Sequence, residues 1–166
     1  KNPSLAGDTE LFLSHPLIVK NNNLIVTTEK AILSYNTSTA SRNWIFSSEP
    51  IFKPIITTNN TFALLKNDLL ICIDNISGNI VWSRNIFRGI KNKKIIKKFS
   101  SVADFKIVNN KINVYSANGH LLLFDPSNGN LNSVSTISKR GINSEIFFLD
   151  GNMLFIDNKK KLLKFN

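Results

Sequence analysis

Residues 69–82, LLICIDNISGNIVW, constrain the chain more than any other stretch. An apolar β-rich run ends at Asp74, a tight turn closes at Gly78, and a second run reaches Trp82. The spacing Asp-x-x-x-Gly-x-x-x-Trp returns upstream as Asn36, Ala40 and Trp44, and downstream as Asp125, Gly129 and Ser133. Asp or Asn at a turn start accepts backbone hydrogen bonds from the residues that follow. Gly permits the positive φ that closes such a turn, and Trp supplies a large apolar area for packing between sheets. Cys72 fills a small-residue place two positions before Asp74.

The motif sits inside a longer repeat. Residues 16–46 divide into four short runs, PLIVK, LIVTT, AILSYN and SRNWIF, separated by Asn-rich or polar turns. Residues 53–83 and 102–136 divide in the same way, and 145–166 hold only three such runs. The ends of the third runs, Asn36, Asp74, Asp125 and Asn166, lie 38, 51 and 41 residues apart. The Asn-Asn, Asn-Gly and Asp-Gly pairs at 59–60, 109–110, 118–119 and 150–151 read as hairpin turns. No helical periodicity of usable length is present. Four-run units recurring at about 40–50 residues predict an all-β fold, a β-propeller of four-stranded antiparallel blades. The blades fall at about 16–47, 53–86, 102–136 and 145–166, within a single domain over 9–166 that follows a flexible lead-in at 1–8.

The fourth unit lacks an outer strand, and residues 9–14 form a spare strand upstream of the first. Pairing between them would close a ring of about four blades; exchange between two chains would give an eight-bladed homodimer. The alternative is a piece of a longer propeller, about half of an eight-bladed one. The chain starts at Lys1 in a Pro/Ser/Gly stretch, which reads as a processed or excised product.

Composition narrows the function classes. The 166 residues carry a net charge of +10 and a pI near 9.9, a balance compatible with nucleic acid, anionic lipid headgroups or an acidic protein face as partners. The joint abundance of Lys, Asn and Ile also matches a coding bias towards A/T-rich codons. Cys72 is the only cysteine, so an intrachain disulfide is excluded. No apolar run reaches the ~18 residues of a spanning helix.

The 51-residue interval locates an insertion at 87–101, FRGIKNKKIIKKFSS. Arg88, Lys91, Lys93, Lys94, Lys97 and Lys98 make it the candidate partner-binding surface, since loops on a rigid scaffold carry recognition. The competing reading is a solvated Lys-rich loop. Nucleic acid is not expected, because only Phe87 and Phe99 flank the charges and stacking platforms are otherwise lacking. His15 and His120 stand apart and form no metal pattern. Asp74 and Asp125 read as turn openers rather than catalytic carboxylates. No catalytic, cofactor or metal residues are assigned.

Around Cys72, Asp74, Gly78 and Trp82, with Asp125, Gly129 and Trp44 as partial copies, the sequence resembles the pyrroloquinoline-quinone-type propeller repeat. The resemblance covers about 16–166. In that class the quinoprotein dehydrogenases typically hold quinone and Ca²⁺ with adjacent cysteines and an Asp base; this chain has one Cys and no paired Cys. The BamB-like scaffold branch, named for a lipoprotein of the outer-membrane β-barrel assembly machinery, carries repeats without cofactor residues. The resemblance therefore implies a non-catalytic protein-binding scaffold, not an enzyme, periplasmic and associated with outer-membrane assembly. The rival expectations are a quinoprotein dehydrogenase-like enzyme fragment and a ligand-binding or sensor ectodomain of a larger membrane protein.

Overall fold

Strand formation follows the apolar runs. A computed structural model describes residues 17–20, 22–91, 93–99 and 101–165. Within the first unit of structure the strands are β1 (Ile18–Lys20), β2 (Asn23–Thr27), β3 (Ala31–Asn36), β4 (Arg42–Ser47), β5 (Ile55–Ile56), β6 (Asn60–Leu64), β7 (Leu69–Asp74) and β8 (Ile80–Asn85). They form two antiparallel sheets, ordered β1-β2-β3-β4 and β5-β6-β7-β8. Leu70, Ile71, Cys72 and Ile73 of β7 are all buried, as expected where both faces of a sheet are covered. The outer strands β4 and β8 are largely exposed, and each buries one residue, Trp44 and Trp82 respectively.

Chain contacts divide the molecule into two compact units, Lys1–Asn85 and Ile86–Asn166. The second opens with a short helix, α1 (Lys93–Lys98), and continues with β9 (Val102–Val108), β10 (Lys111–Ser116), β11 (His120–Phe124), β12 (Leu131–Thr136), β13 (Phe147–Leu149), β14 (Asn152–Ile156) and β15 (Leu162–Phe165). Its sheets are β9-β10-β11-β12 and β13-β14-β15, both antiparallel. The expected four-stranded blades thus occur three times, and the fourth sheet has three strands among the described residues. The spare strand at 9–14, His15 and Asn166 lie outside the described residues.

The register is the same in the three complete sheets. Ile25 pairs with Ser34 and Ser34 with Trp44. Phe62 pairs with Cys72 and Cys72 with Trp82. Asn113 pairs with Leu123 and Leu123 with Ser133. A bulge follows at the same place each time, between Ser34 and Tyr35, Cys72 and Ile73, and Leu123 and Phe124. A bulge re-aims the strand that enters the turn, and its recurrence shows one design used three times.

The core of the first unit lies between its two sheets. Ile25, Ile32 and Trp44 from one meet Ala63, Leu65, Ile71 and Ile73 from the other. In the second unit Tyr115 meets Phe155, together with Ile142 and Ile146 from the intervening segment. That segment is held by hydrogen bonds as well. The Ile142 N–H donates to the Ala117 carbonyl at 2.8 Å, and the Ile146 N–H donates to Asp104 Oδ2 at 2.7 Å. Asp104 is buried but answered: it also accepts from the Phe105 N–H at 2.7 Å and lies 3.2 Å from Lys106 Nζ.

Two local expectations change. Residues 109–110 and 150–151 both take positive φ, as a primed hairpin turn requires. Asn59 and Asn60 do not. The hairpin between β5 and β6 forms one residue earlier: the Thr57 N–H and hydroxyl donate to the Asn60 carbonyl at 2.8 and 2.9 Å, so Thr58 and Asn59 make the loop and Asn60 opens β6. The insertion, read as an irregular loop, contains α1; six residues are too few for a helical period to register in sequence.

Candidate functional site

The Asp-x-x-x-Gly turn is built from hydrogen bonds. Asp74 Oδ1 accepts from the Ile76 and Ser77 N–H groups at 3.2 and 2.7 Å and from Ser77 Oγ at 2.8 Å. The Gly78 N–H donates to the Asp74 carbonyl at 2.9 Å. Asp125 accepts from the Ser127 N–H at 2.9 Å and Oγ at 2.6 Å, and from Lys111 Nζ at 3.2 Å. Asn36 Oδ1 does the same for the Ser38 and Thr39 N–H groups, at 2.8 and 3.1 Å. The Ser77 backbone and hydroxyl donors hold the Asp74 carboxyl below its ordinary value. The Ser127 hydroxyl, then its N–H and Lys111, hold Asp125 down to about 2. These carboxylates are ionised hydrogen-bond acceptors at ordinary pH and poorly suited to proton transfer.

Gly78 has a second role that its φ of +73° does not reveal. A Cβ added there would lie 2.5 Å from Trp44 Cβ and Cγ, so the Trp of the first sheet rests on the turn of the second. The Trp44 indole N–H donates to the Asn75 carbonyl at 2.9 Å. Asn75 is itself buried and satisfied: its Oδ1 accepts from Thr61 Oγ1 at 2.7 Å, and its Nδ2 donates to the Thr57 and Thr58 carbonyls at 3.1 and 3.3 Å. Trp82 packs against Phe62 of its own sheet, ring centroids 5.9 Å apart. Cys72 is 1% exposed, and burial, then the Asp74 charge, push its thiol up to about 11, which makes it a packing group and not a nucleophile. His120 Nδ1 lies 3.1 Å from Thr136 Oγ1, a local contact. Among the described residues no three His, Cys, Asp or Glu side chains gather as a metal site would need, and no helix is long and apolar enough to cross a membrane.

The basic insertion is anchored rather than loose. Ile86 and Phe99 are buried at its two ends, and Phe87 meets Phe99 edge to face, centroids 5.2 Å apart at 80°. The Phe99 N–H donates to the Ile95 and Ile96 carbonyls at 2.9 and 3.2 Å and closes α1. Ile95 and Ile96 are half-buried, while Arg88, Lys91, Lys93, Lys94 and Lys97 are exposed. Lys98 completes the helix backbone. No acidic residue stands in the first turn of α1, and among the described residues Arg88, Lys91, Lys93 and Lys97 enter no ion pair. Lys93 and Lys97 stand four apart on one helix, where like charges repel. A strongly positive surface is therefore presented with little internal compensation.

A feature the repeat pattern only hinted at lies in the second unit. A hollow of about 280 Å³ opens between β9–β11 and β13–β15, lined by Lys111, Asn113, Tyr115, Leu123, Phe148 and Met153 among others. Asn113 is 6% exposed; its Nδ2 donates to Tyr115 Oη at 3.0 Å, and its Oδ1 has no partner among the described residues. Burial pushes the Tyr115 phenol above its ordinary value. The loss of Trp at Ser133 was visible in sequence; the place of Asn113 was not, because its pairing with Leu123, the partner of Ser133, emerges only from strand register.

No protein-family model and no curated protein sequence matches the chain. Solved structures do match. BamB from Moraxella catarrhalis superposes with a TM-score of 0.69 at 9% identity, covering 89% of this chain and 41% of that one. The computationally designed Ika4 protein gives 0.70 at 14% identity, covering 98% and 94%. Quinohemoprotein alcohol dehydrogenase from Comamonas testosteroni gives 0.55 at 14% identity, covering 72% and 20%. The chain thus spans less than half the length of either natural protein. With three four-stranded antiparallel sheets, one three-stranded sheet and these likenesses, the chain has the pyrroloquinoline-quinone-type β-propeller fold.

Proposed function

We propose that this chain is a non-catalytic propeller scaffold that docks an acidic protein surface through the basic insertion, in a BamB-like role in outer-membrane protein assembly in the periplasm. The observation that carries the reading is the insertion itself: a short helix pinned by buried Phe99 that presents exposed Lys93 and Lys97, neither in an ion pair among the described residues, beside exposed Arg88 and Lys91. A rigid mount lowers the ordering cost of binding, and clustered charge raises the encounter rate. The motif carboxylates and Cys72 are occupied by turn and core duties, which supports a binding role over catalysis.

The test is titration of the chain with purified outer-membrane β-barrel assembly complex at low and high salt. Binding is expected, weakening as ionic strength rises and the Debye length shrinks. Reversal of Lys93, Lys94, Lys97 and Lys98 to Glu is expected to weaken it by about tenfold or more; unchanged affinity sinks the docking role of the insertion. The enzyme reading is tested separately: pyrroloquinoline quinone with Ca²⁺ is expected to leave the melting temperature unchanged, since only a ligand that binds the folded state raises it.

A further inference from the structure

We infer that the hollow between the third and fourth sheets is a receptor for an indole, the side chain of a tryptophan on a partner protein. Three observations converge. First, register places Asn113, Leu123 and Ser133 where the first sheet has Ile25, Ser34 and Trp44 and the second has Phe62, Cys72 and Trp82. The third sheet has lost the indole and a large apolar neighbour together, and β12 buries none of its residues where β4 buries Trp44 and β8 buries Trp82. Second, the space is left open, about 280 Å³, with apolar walls from Leu123, Phe148 and Met153. Third, Asn113 Oδ1 is a buried acceptor lacking a donor among the described residues. A buried polar atom left without a partner is destabilising, so one that persists marks a place where a donor is supplied from elsewhere.

The fold itself indicates what fits. On the corresponding face of the first sheet, Trp44 fills the space and its indole N–H finds a carbonyl oxygen. An incoming indole would lay its ring against Leu123 and Met153, donate its N–H to Asn113 Oδ1, and stand near the Lys111 ammonium, which favours an aromatic face. That the indole arrives on another protein rests on the scaffold reading above; the affinity of the hollow for an indole does not, and it is independent of the basic insertion.

The test uses N-acetyl-tryptophanamide titrated into the isotope-labelled chain, followed by amide chemical shifts. Saturable binding on the order of millimolar, the range expected for one side chain, is expected with shifts confined to β10, β11, β13 and β14. The N1-methylated analogue, which lacks the donor, is expected to bind about tenfold more weakly. N-acetyl-leucinamide is expected to be weaker still. Asn113→Leu is expected to remove the preference for the unmethylated indole, and Ser133→Trp to block the hollow from within. Absence of saturable binding, equal binding of the methylated and unmethylated indoles to the native chain, or shifts elsewhere would each overturn the assignment. The analogue comparison needs no variant and stands even if a substitution fails to fold. A chain that binds the indole but not the assembly complex would retain the hollow and lose the scaffold reading.

Discussion

The two units use one repeat in opposite ways. In the first, the motif is complete in its contacts: Trp44 lies on Gly78, its N–H meets the Asn75 carbonyl, and every polar atom of the Asn75 side chain is bonded. In the second, Ser133 stands at the Trp place, Asn113 keeps an oxygen without a partner among the described residues, and a hollow remains. The same unit carries the inserted basic helix. Positions that repeat hold the sheets together, and positions that depart from the repeat leave cavity or charge on display. The difference separates the parts of the chain that hold the fold from those that depart from the repeat.

That contrast can be broken by substitution. The largest effect is expected from Trp44→Ala. Removing a buried indole and leaving a cavity should cost about 4 kcal/mol, read as a shift in the denaturant midpoint. Gly78→Ala should cost about 3 kcal/mol, because the new methyl meets both a left-handed backbone and the Trp44 ring. Asn75→Ala follows at about 2 kcal/mol, since the Thr57 and Thr58 carbonyls and the Thr61 hydroxyl lose their partner. A loss at Asn75 larger than at Trp44 would reverse the ranking of packing over polar contacts.

Smaller effects are expected at the turns. Ala40 holds the Gly place of the first turn at a φ of +53°, so Ala40→Gly should stabilise by about 1 kcal/mol. A destabilising result would mean that the Ala40 methyl makes contacts worth more than the backbone strain. Acid should weaken the fold through the motif turns. Asp125 sits near 2 in the folded chain against an ordinary value of 3.8, so the unfolded chain takes up its proton first as pH falls. The stabilisation is present above about pH 4 and is lost as pH falls towards 2. Asp125→Asn should flatten that limb of the melting temperature against pH; an unaltered limb would remove Asp125 from its causes.

Much of the fold was legible because each unit repeats its own punctuation. Asp74 with Gly78 and Asp125 with Gly129 mark turns by chemistry confined to a few residues. Three things were hidden. The seat of Trp44 on Gly78 joins residues of two sheets, and no local pattern encodes it. Helix α1 spans only Lys93–Lys98, too short to show a period. Asn113 reads as an ordinary strand residue until register sets it beside Leu123 and Ser133. The basic insertion was legible as charge alone; its pinning by Phe87 and Phe99 was not.

In the proposed reading, repeated positions hold the fold while the inserted lysines do the docking. The most direct measurement neutralises Lys93, Lys94, Lys97 and Lys98 to Gln and reads melting temperature and affinity for the assembly complex on the same sample. Stability is expected to stay within about 0.5 kcal/mol and affinity to fall by about tenfold or more. Affinity unchanged with the fold intact would contradict it.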